Sequence, residues 1–308
     1  MLGSAALMAF LVLRPAAAQE WGPYDRPYLA EAVSLLKRLP STSEHWRFVS
    51  AQRIPLQVTD NPAEVDDSIL GAYSLVDRRI AIDEVILARA AEDLVDDGAA
   101  PAVAARVLAW KTLPTIVHEL THGRVHDDLR RLAGGPFALA VLEDEQLAFY
   151  DGCLALLDLF AEKPALWSKE RLLELDEPEA ATLEAWFRGP EGIDALVAQV
   201  YDGRRSLLKD DAAVFRAAAD NTIFDLRRAA AKLREGGGAA EAGRRLLGRR
   251  RHMSPKEALA YVERALPVFI STRRTLDDPA ALERVRAYYR GALAERRAKL
   301  EARRPRKG

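Results

Sequence analysis

The feature that most limits the fold of this chain is the helical spacing of its apolar residues from Glu84 to the end. The clearest breaks in that period are glycine and proline clusters at residues 134–136, 189–190 and 236–238. Such clusters interrupt helices because glycine loses the most backbone freedom on folding and proline lacks an N–H group. Apolar residues make up 49% of the 308 residues, enough to form a globular core. The sequence therefore predicts a protein that is mainly helical after residue 84.

The residues before Glu84 predict one helix and a small sheet. Apolar side chains at helical spacing indicate a first amphipathic helix that ends at Pro40: Leu29, Ala32, Val33 and Leu36. The stretch RIPLQVTD alternates like a strand, and LGAYSLVDRRIAID predicts a hairpin that turns near residues 76–78. We therefore predict an α+β fold that is predominantly helical, with a small sheet and a helical C-terminal extension.

The first twenty residues, MLGSAALMAFLVLRPAAAQE, predict a secretory signal peptide at residues 1–18. An apolar run from Leu2 to Leu13 is followed by three alanines, an A-x-A cleavage pattern before Gln19. A run of about 12 apolar residues is short for a membrane span, so an uncleaved anchor is the competing interpretation. We expect export to the periplasm or the medium, and no membrane span in the mature chain.

Composition shifts divide the rest of the chain. Residues 19–160 form the region that carries the motif described next, and residues 161–235 form a helical region. The triple glycine at 236–238 is a possible linker to a helical C-terminal region, 239–308, with a basic tail. Cys153 is the single cysteine, which excludes an intramolecular disulfide, and we interpret it as an apolar core residue on a helix.

The motif TIVHELTHGRVH holds three of the five histidines. His118 and His122 are four residues apart, so on a helix their imidazoles project from one face and suit two corners of a tetrahedral zinc site. Glu119 is displaced by about 100° around the axis, where a carboxylate can reach a metal-bound water without competing for the metal. Pro114 is a suitable first residue for this helix, because a first-turn residue needs no N–H partner.

A third ligand is expected from acids in a second helix, predicted from residue 137 to about residue 160. Glu143, Asp144 and Glu145 lie about twenty residues after His122 in an otherwise apolar stretch. Buried carboxylates need a partner, because an unpaired buried charge is costly, and a metal ion would serve. Glu143 and Glu145 point to nearly opposite sides of a helix, so only one of them can face the metal.

These motifs resemble the zincin metallopeptidases, and among them the gluzincins, whose third ligand is a glutamate on a second helix. The resemblance rests on HELTH at 118–122, on EQLA at 145–148, and on GAYSLVDRRIAID, which is similar to the edge strand lining the substrate cleft. It implies Zn²⁺ held by His118, His122 and Glu145, with Glu119 as the general base. The implied function is an exported metallopeptidase that hydrolyses peptide bonds with a zinc-bound water activated by Glu119.

The sequence departs from the family pattern at two positions, one of which is Arg124, where the extended motif usually has an apolar residue. Several gluzincin families have, four residues after the third ligand, an aspartate that orients a ligand histidine. Here that position is Phe149. Asp144 and Asp151 are the two aspartates that could orient a ligand histidine instead, although neither stands at the family's spacing. Glu143 remains a rival to Glu145 as the metal ligand.

His126 and the oxyanion donor stay open. If the helix continues, His126 lies about 12 Å along the axis from His118 and lines the cleft or supports the site. If Gly123 ended the helix, His126 would instead be a third ligand. Amide hydrolysis also needs a donor for the developing oxyanion. Four residues are candidates by chemistry, and the sequence does not choose among them: Tyr150, Tyr201, Arg124 and His126.

Other functional classes receive less support. The formal net charge of -1 gives no support to nucleic-acid binding, and the expected partner is a peptide or protein substrate. The chain has no G-x-S-x-G motif and no phosphate-binding glycine loop. The alternative from another class is a zincin-like metal-binding scaffold or interaction protein without peptidase activity, whose helical C-terminal half is the working surface.

Overall fold

A computed structural model of the chain describes residues 24–59, 71–162, 177–235 and 254–304. The expected signal peptide, the triple glycine and the end of the basic tail lie outside these residues. Within the described residues the protein is mostly helical with one small sheet, as the sequence predicts.

The helices and strands follow in chain order. They are α1 (Asp25–Arg38), a 3₁₀ turn (Pro40–Thr42), α2 (Ser43–Gln52), β1 (Leu56–Thr59), β2 (Gly71–Ser74), β3 (Arg79–Asp83), α3 (Glu84–Asp96), α4 (Pro101–Ala133), α5 (Leu142–Glu162), α6 (Glu177–Phe187), α7 (Pro190–Val200), α8 (Ala212–Arg234), α9 (Pro255–Asp277) and α10 (Pro279–Ala302).

The sheet has the order β1-β3-β2, with β1 parallel and β2 antiparallel to β3. Tyr73 of β2 pairs with Ile80 of β3, which confirms the predicted hairpin and its turn. Ile80 and Ile82 are fully buried on β3. Because β2 is at the edge of the sheet, its outer backbone groups are left for other partners, and the strand contacts α4.

Helix α4 differs from its prediction. We expected one helix near residues 102–110 and a second that begins at Pro114, but the structure has a single 33-residue helix with Pro114 inside it. An internal proline removes one backbone hydrogen bond and crowds the preceding turn. Here α4 packs against α1, α3 and α5, and Leu113 and Ile116 are fully buried. Tertiary packing therefore outweighs the local preference, and the histidine motif lies in the middle of a long buried helix.

Helix α5 begins later than predicted. The expected start at residue 137 is wrong, because residues 136–141 have no regular secondary structure and the helix begins at Leu142. Distant partners hold this segment in place: the Ala138 N–H donates to Thr272 Oγ1 over 2.8 Å, and the Leu142 N–H donates to the Arg205 carbonyl over 2.9 Å. Bonds to residues so far along the chain are invisible to local periodicity.

Buried side chains form three apolar clusters among the described residues. One joins α1, α2, the sheet, α3 and the first half of α4, and a second joins the end of α4 with α5, α6, α7 and α10. The third lies between α8 and α9. Cys153 is buried in the second cluster, which confirms its core role, and burial raises the pKa of its thiol to about 12. The histidine motif lies where the first two clusters meet.

Candidate metal centre

The two motif histidines face each other on α4. The Nε2 atoms of His118 and His122 are 3.1 Å apart, and the ring centroids are 4.8 Å apart. Both residues are partly buried, in the middle of the continuous α4 helix. The four-residue spacing therefore places both nitrogen atoms on one face, as the sequence predicts.

A carboxylate from α5 completes a triangle with these nitrogens. Glu145 Oε2 lies 3.3 Å from His118 Nε2 and 3.5 Å from His122 Nε2. This oxygen is buried and accepts no well-aligned hydrogen bond from the described residues, whereas Oε1 accepts one from Arg204. Burial raises the pKa of Glu145, but the closeness of the two histidines outweighs it and holds that pKa well below its ordinary value.

The dimensions of this triangle suit a metal ion. Zinc binds histidine nitrogen and carboxylate oxygen at about 2.0–2.1 Å, so two ligands of a tetrahedral zinc lie about 3.3 Å apart. The three separations, from 3.1 to 3.5 Å, are close to that value. His118, Glu119 and His122 also form a group whose ligand atoms lie within 4.8 Å of one another, and this group can hold a metal ion.

Glu119 is held by the edge strand. Its Oε2 atom accepts a hydrogen bond of 2.7 Å from the Tyr73 backbone N–H on β2. Gly71 lies close beside it, since a Cβ atom there would be 3.5 Å from Glu119 Cγ and 3.2 Å from Thr115 Cγ2. The strand therefore fixes the carboxylate of Glu119 next to the histidine pair. The predicted hairpin indicated the strand, but not this bond.

The two rival glutamates of α5 have different partners. Glu143 is 2% exposed and accepts hydrogen bonds from the Ser206 hydroxyl and from the backbone N–H groups of Leu207 and Leu208. It anchors the loop after α7 and does not face the histidines. Of the two residues, Glu145 is the one beside the histidine pair.

His122 is oriented by a carboxylate that the family pattern places elsewhere. Asp144 Oδ2 lies 2.9 Å from His122 Nδ1. Although burial lowers the pKa of His122, the charges of Asp144 and Glu145 raise it well above its ordinary value. Phe149 packs edge-on against the His118 ring, with centroids 5.2 Å apart. Asp151, the other substitute considered from sequence, lies in a buried network with Arg296.

Replacing Asp144 by asparagine is expected to weaken zinc binding about 10- to 100-fold, because a carboxylate on the outer nitrogen orients a ligand histidine and makes it more basic. Competition with a chromophoric chelator measures this affinity. The matched control is Asp225→Asn, an exposed aspartate on α8. Equal zinc affinity in the two variants would show that Asp144 does not support a metal.

The candidate oxyanion donors differ in their present partners and in whether they line the cleft. Tyr150 donates to Asp194 over 2.6 Å, and Arg124 pairs with Glu44 at 2.8 Å, so both are engaged elsewhere. Tyr201 instead lines the same cavity as His118 and Glu119. Burial raises the pKa of the Tyr201 phenol, and so do the charge of Glu145 and a hydrogen bond to its carboxylate.

His126 belongs to the continuing helix. Helix α4 runs through Gly123 to Ala133, so His126 stays about 12 Å along the axis from His118. It is buried, and its Nε2 atom has no hydrogen-bond partner among the described residues. Burial lowers the pKa of His126 to about 4, and the nearby charge of Arg78 acts in the same direction.

A cleft of about 670 Å³ opens onto the site. Its lining includes His118, Glu119, Phe149 and Tyr201, together with apolar residues of α3, α4 and α5. A cavity of this size lies within the range of small-molecule and peptide sites. The motif is therefore accessible to a ligand.

Comparison of the chain with known protein families, characterised proteins and solved structures gives no significant match. Among the described helices, none combines the length and the apolar character of a membrane-spanning segment.

Proposed function

We propose that this protein is a zinc-dependent peptidase. The observation that carries the proposal is the triangle of His118 Nε2, His122 Nε2 and Glu145 Oε2, with sides of 3.1, 3.3 and 3.5 Å. A second carboxylate, that of Glu119, is fixed beside it by the edge strand. Two nitrogens and one oxygen form the ligand set of catalytic zinc sites, which keep a fourth position open.

The donor set fits zinc better than the hard cations. Calcium and magnesium prefer all-oxygen ligands, whereas imidazole nitrogen suits zinc and its neighbours in the first transition series. The buried Glu145 Oε2 atom lacks a well-aligned donor, and a cation would satisfy it. His118, His122 and Glu145 would hold the ion, and Asp144 would orient His122.

The chain's own residues supply the rest of the chemistry. Zinc, when bound, polarises the scissile carbonyl and acidifies water. Glu119 accepts a proton from the attacking water and passes it to the leaving amine, and its bond to the Tyr73 N–H keeps the carboxylate in place. The Tyr201 phenol is protonated at neutral pH, as an ordinary tyrosine is, so it can donate to the oxyanion from the wall of the cleft.

We propose that the peptidase is exported. The alternative function is that of a metal-binding scaffold. The apolar N-terminal run and the A-x-A pattern of residues 1–18 support export. A scaffold would keep the metal and the fold but would not hydrolyse peptides. The carboxylate of Glu119 favours the enzyme, because the triangle already supplies three ligands without it and leaves this carboxylate for proton transfer.

The test is hydrolysis of a quenched fluorescent peptide mixture by the chain from Gln19 onward. We expect cleavage that stops when a chelator removes the metal and returns when one equivalent of zinc is added. Cleavage that is unaffected by chelation would contradict the zinc mechanism. A zinc-loaded chain that cleaves no peptide would support the scaffold.

A further inference from the structure

A second cavity adjoins the candidate metal centre. It has a volume of about 540 Å³ and shares Tyr201 with the first cleft. Its walls are largely apolar, and they come from the segment before α5, from α8 and from α9, as Leu139, Phe215 and Phe269 illustrate. Tyr201 contacts Phe149 at a ring distance of 6.1 Å, and Phe149 contacts His118 at 5.2 Å. The second cavity therefore begins two side chains away from the metal centre.

The α8–α9 hairpin borders the second cavity. The hairpin forms one wall of the cavity and continues to the β2–β3 turn, where Arg264 Nη2 lies 2.9 Å from Asp77 Oδ1. Val76 of the same turn packs against the apolar cluster between α8 and α9. The hairpin therefore extends from the second cavity to the turn between β2 and β3.

Two arginines, Arg204 and Arg205, line the cavity, and one exposed acid, Asp202, lines it beside them. A turn closed by the Arg204 N–H and the Tyr201 carbonyl, with Gly203 at φ +82°, brings Tyr201 and Arg204 side by side. The Arg204 guanidinium lies 4.6 Å from the Tyr201 ring centroid and bonds Glu145 Oε1. Arg205 also lines the cavity, and its guanidinium has no ion pair within the described parts of the chain.

We propose that the second cavity binds an apolar residue that carries a free carboxylate, the carboxyl-terminal end of a peptide. Arg204 and Arg205 recognise the carboxylate, since arginine matches its planar geometry with paired hydrogen bonds. The apolar walls accept the terminal side chain. The identification of the ligand as a substrate end rests on the proposed function, whereas binding to the cavity does not require a metal.

The position of Arg204 limits the length of the released fragment. Its guanidinium touches one oxygen of Glu145, and the other oxygen lies 3.3 Å from His118 Nε2. One extended residue spans about 3.3–3.6 Å, so a carboxylate bound by this arginine lies about one or two residues from a bond at the metal. The proposed substrate class is therefore peptides that lose one or two residues from their carboxyl end.

The test is calorimetric titration of the full exported chain, carrying Glu119→Gln to prevent turnover, with N-acetylphenylalanine and with its amide. We expect the acid to bind at least about tenfold more tightly than the amide. Arg205→Gln should remove this preference, and Ala218→Trp should block both ligands by filling the cavity. The matched control is Ala217→Trp, which is also exposed on α8 but does not line the cavity. Equal binding of acid and amide, or unchanged binding to the Ala218→Trp variant, would overturn the inference.

A second titration, in a His118→Ala variant, separates this inference from the proposed function. Carboxylate binding that persists without His118 supports the cavity, even if the parent chain takes up no zinc and the peptidase proposal fails. Carboxylate binding that disappears with His118 would place the carboxylate on the metal and overturn the inference. Zinc uptake by the parent without any preference for the acid would leave the peptidase proposal standing and overturn only the cavity.

Discussion

Peptide hydrolysis by the Glu119→Gln variant is expected to fall by about 10²- to 10⁴-fold in kcat, with zinc content unchanged. This range is the usual contribution of a positioned general base. Glutamine keeps the shape of the side chain, and its amide oxygen still accepts a hydrogen bond from the Tyr73 N–H. The loss therefore reports the missing basic carboxylate and not a disturbed strand. Initial rates and metal analysis on the same preparations measure both quantities.

The matched control for this variant is Asp97→Asn, which neutralises another acid of the same cleft. Asp97 is exposed at the end of α3, so its loss should change kcat by less than about threefold. If Glu119→Gln retained the parent rate, Glu119 would not be the general base. A scaffold that keeps its metal would be the better description.

The Arg296→Ala variant is expected to lose about 3–5 kcal/mol of unfolding free energy. Arg296 on α10 bonds both oxygens of Asp151 on α5, each over 3.0 Å, and both side chains are 9% exposed. Asp151 also accepts a hydrogen bond from Thr121, one residue before His122. Removal of one member of a buried pair leaves an uncompensated charge, which costs far more than an exposed pair contributes. Urea denaturation followed by circular dichroism measures the loss.

Arg290→Ala provides the matched comparison on the same helix. Arg290 pairs with Glu283, but the two side chains are 53% and 59% exposed, so this variant should lose at most about 1 kcal/mol. Equal losses of unfolding free energy in the two variants would mean that the Arg296–Asp151 pair does not stabilise the packing of α10 against the helices of the site.

Local patterns were sufficient for most of the fold, but they missed α2, since only one helix was expected before the sheet, and they were insufficient at two helix boundaries. The hairpin around Tyr73 and the start of α9, with the Ser254 and Glu257 capping box, are local features of the chain. Pro114 and the start of α5 differ from prediction because distant contacts decide them: burial of α4 on three sides, and the bonds that Ala138 and Leu142 make to other elements. Periodicity reports which face of a segment is apolar and does not report which element will cover it.

The candidate site also has residues that local sequence predicts and residues that only distant contacts bring to it. His118, Glu119 and His122 are visible because their spacing is local. The acids in an apolar helix indicated Glu143 or Glu145, and the family resemblance favoured Glu145. Arg204 and the Tyr73 N–H are invisible in sequence because they approach the site from residues 59 positions after Glu145 and 46 positions before Glu119. Asp144 adjoins Glu145, but its contact with His122 depends on the packing of α5 against α4, which no local pattern reports.

The central claim is that His118, His122 and Glu145 hold one zinc ion. Its most direct test is the zinc content of the purified chain from Gln19 onward, compared with the Glu145→Gln and Glu143→Gln variants. We predict about one zinc per chain in the parent and in Glu143→Gln, whose site lies at the loop after α7, and much less in Glu145→Gln. A parent chain that takes up no zinc at neutral pH, or a Glu145→Gln variant that keeps all of it, would contradict the account.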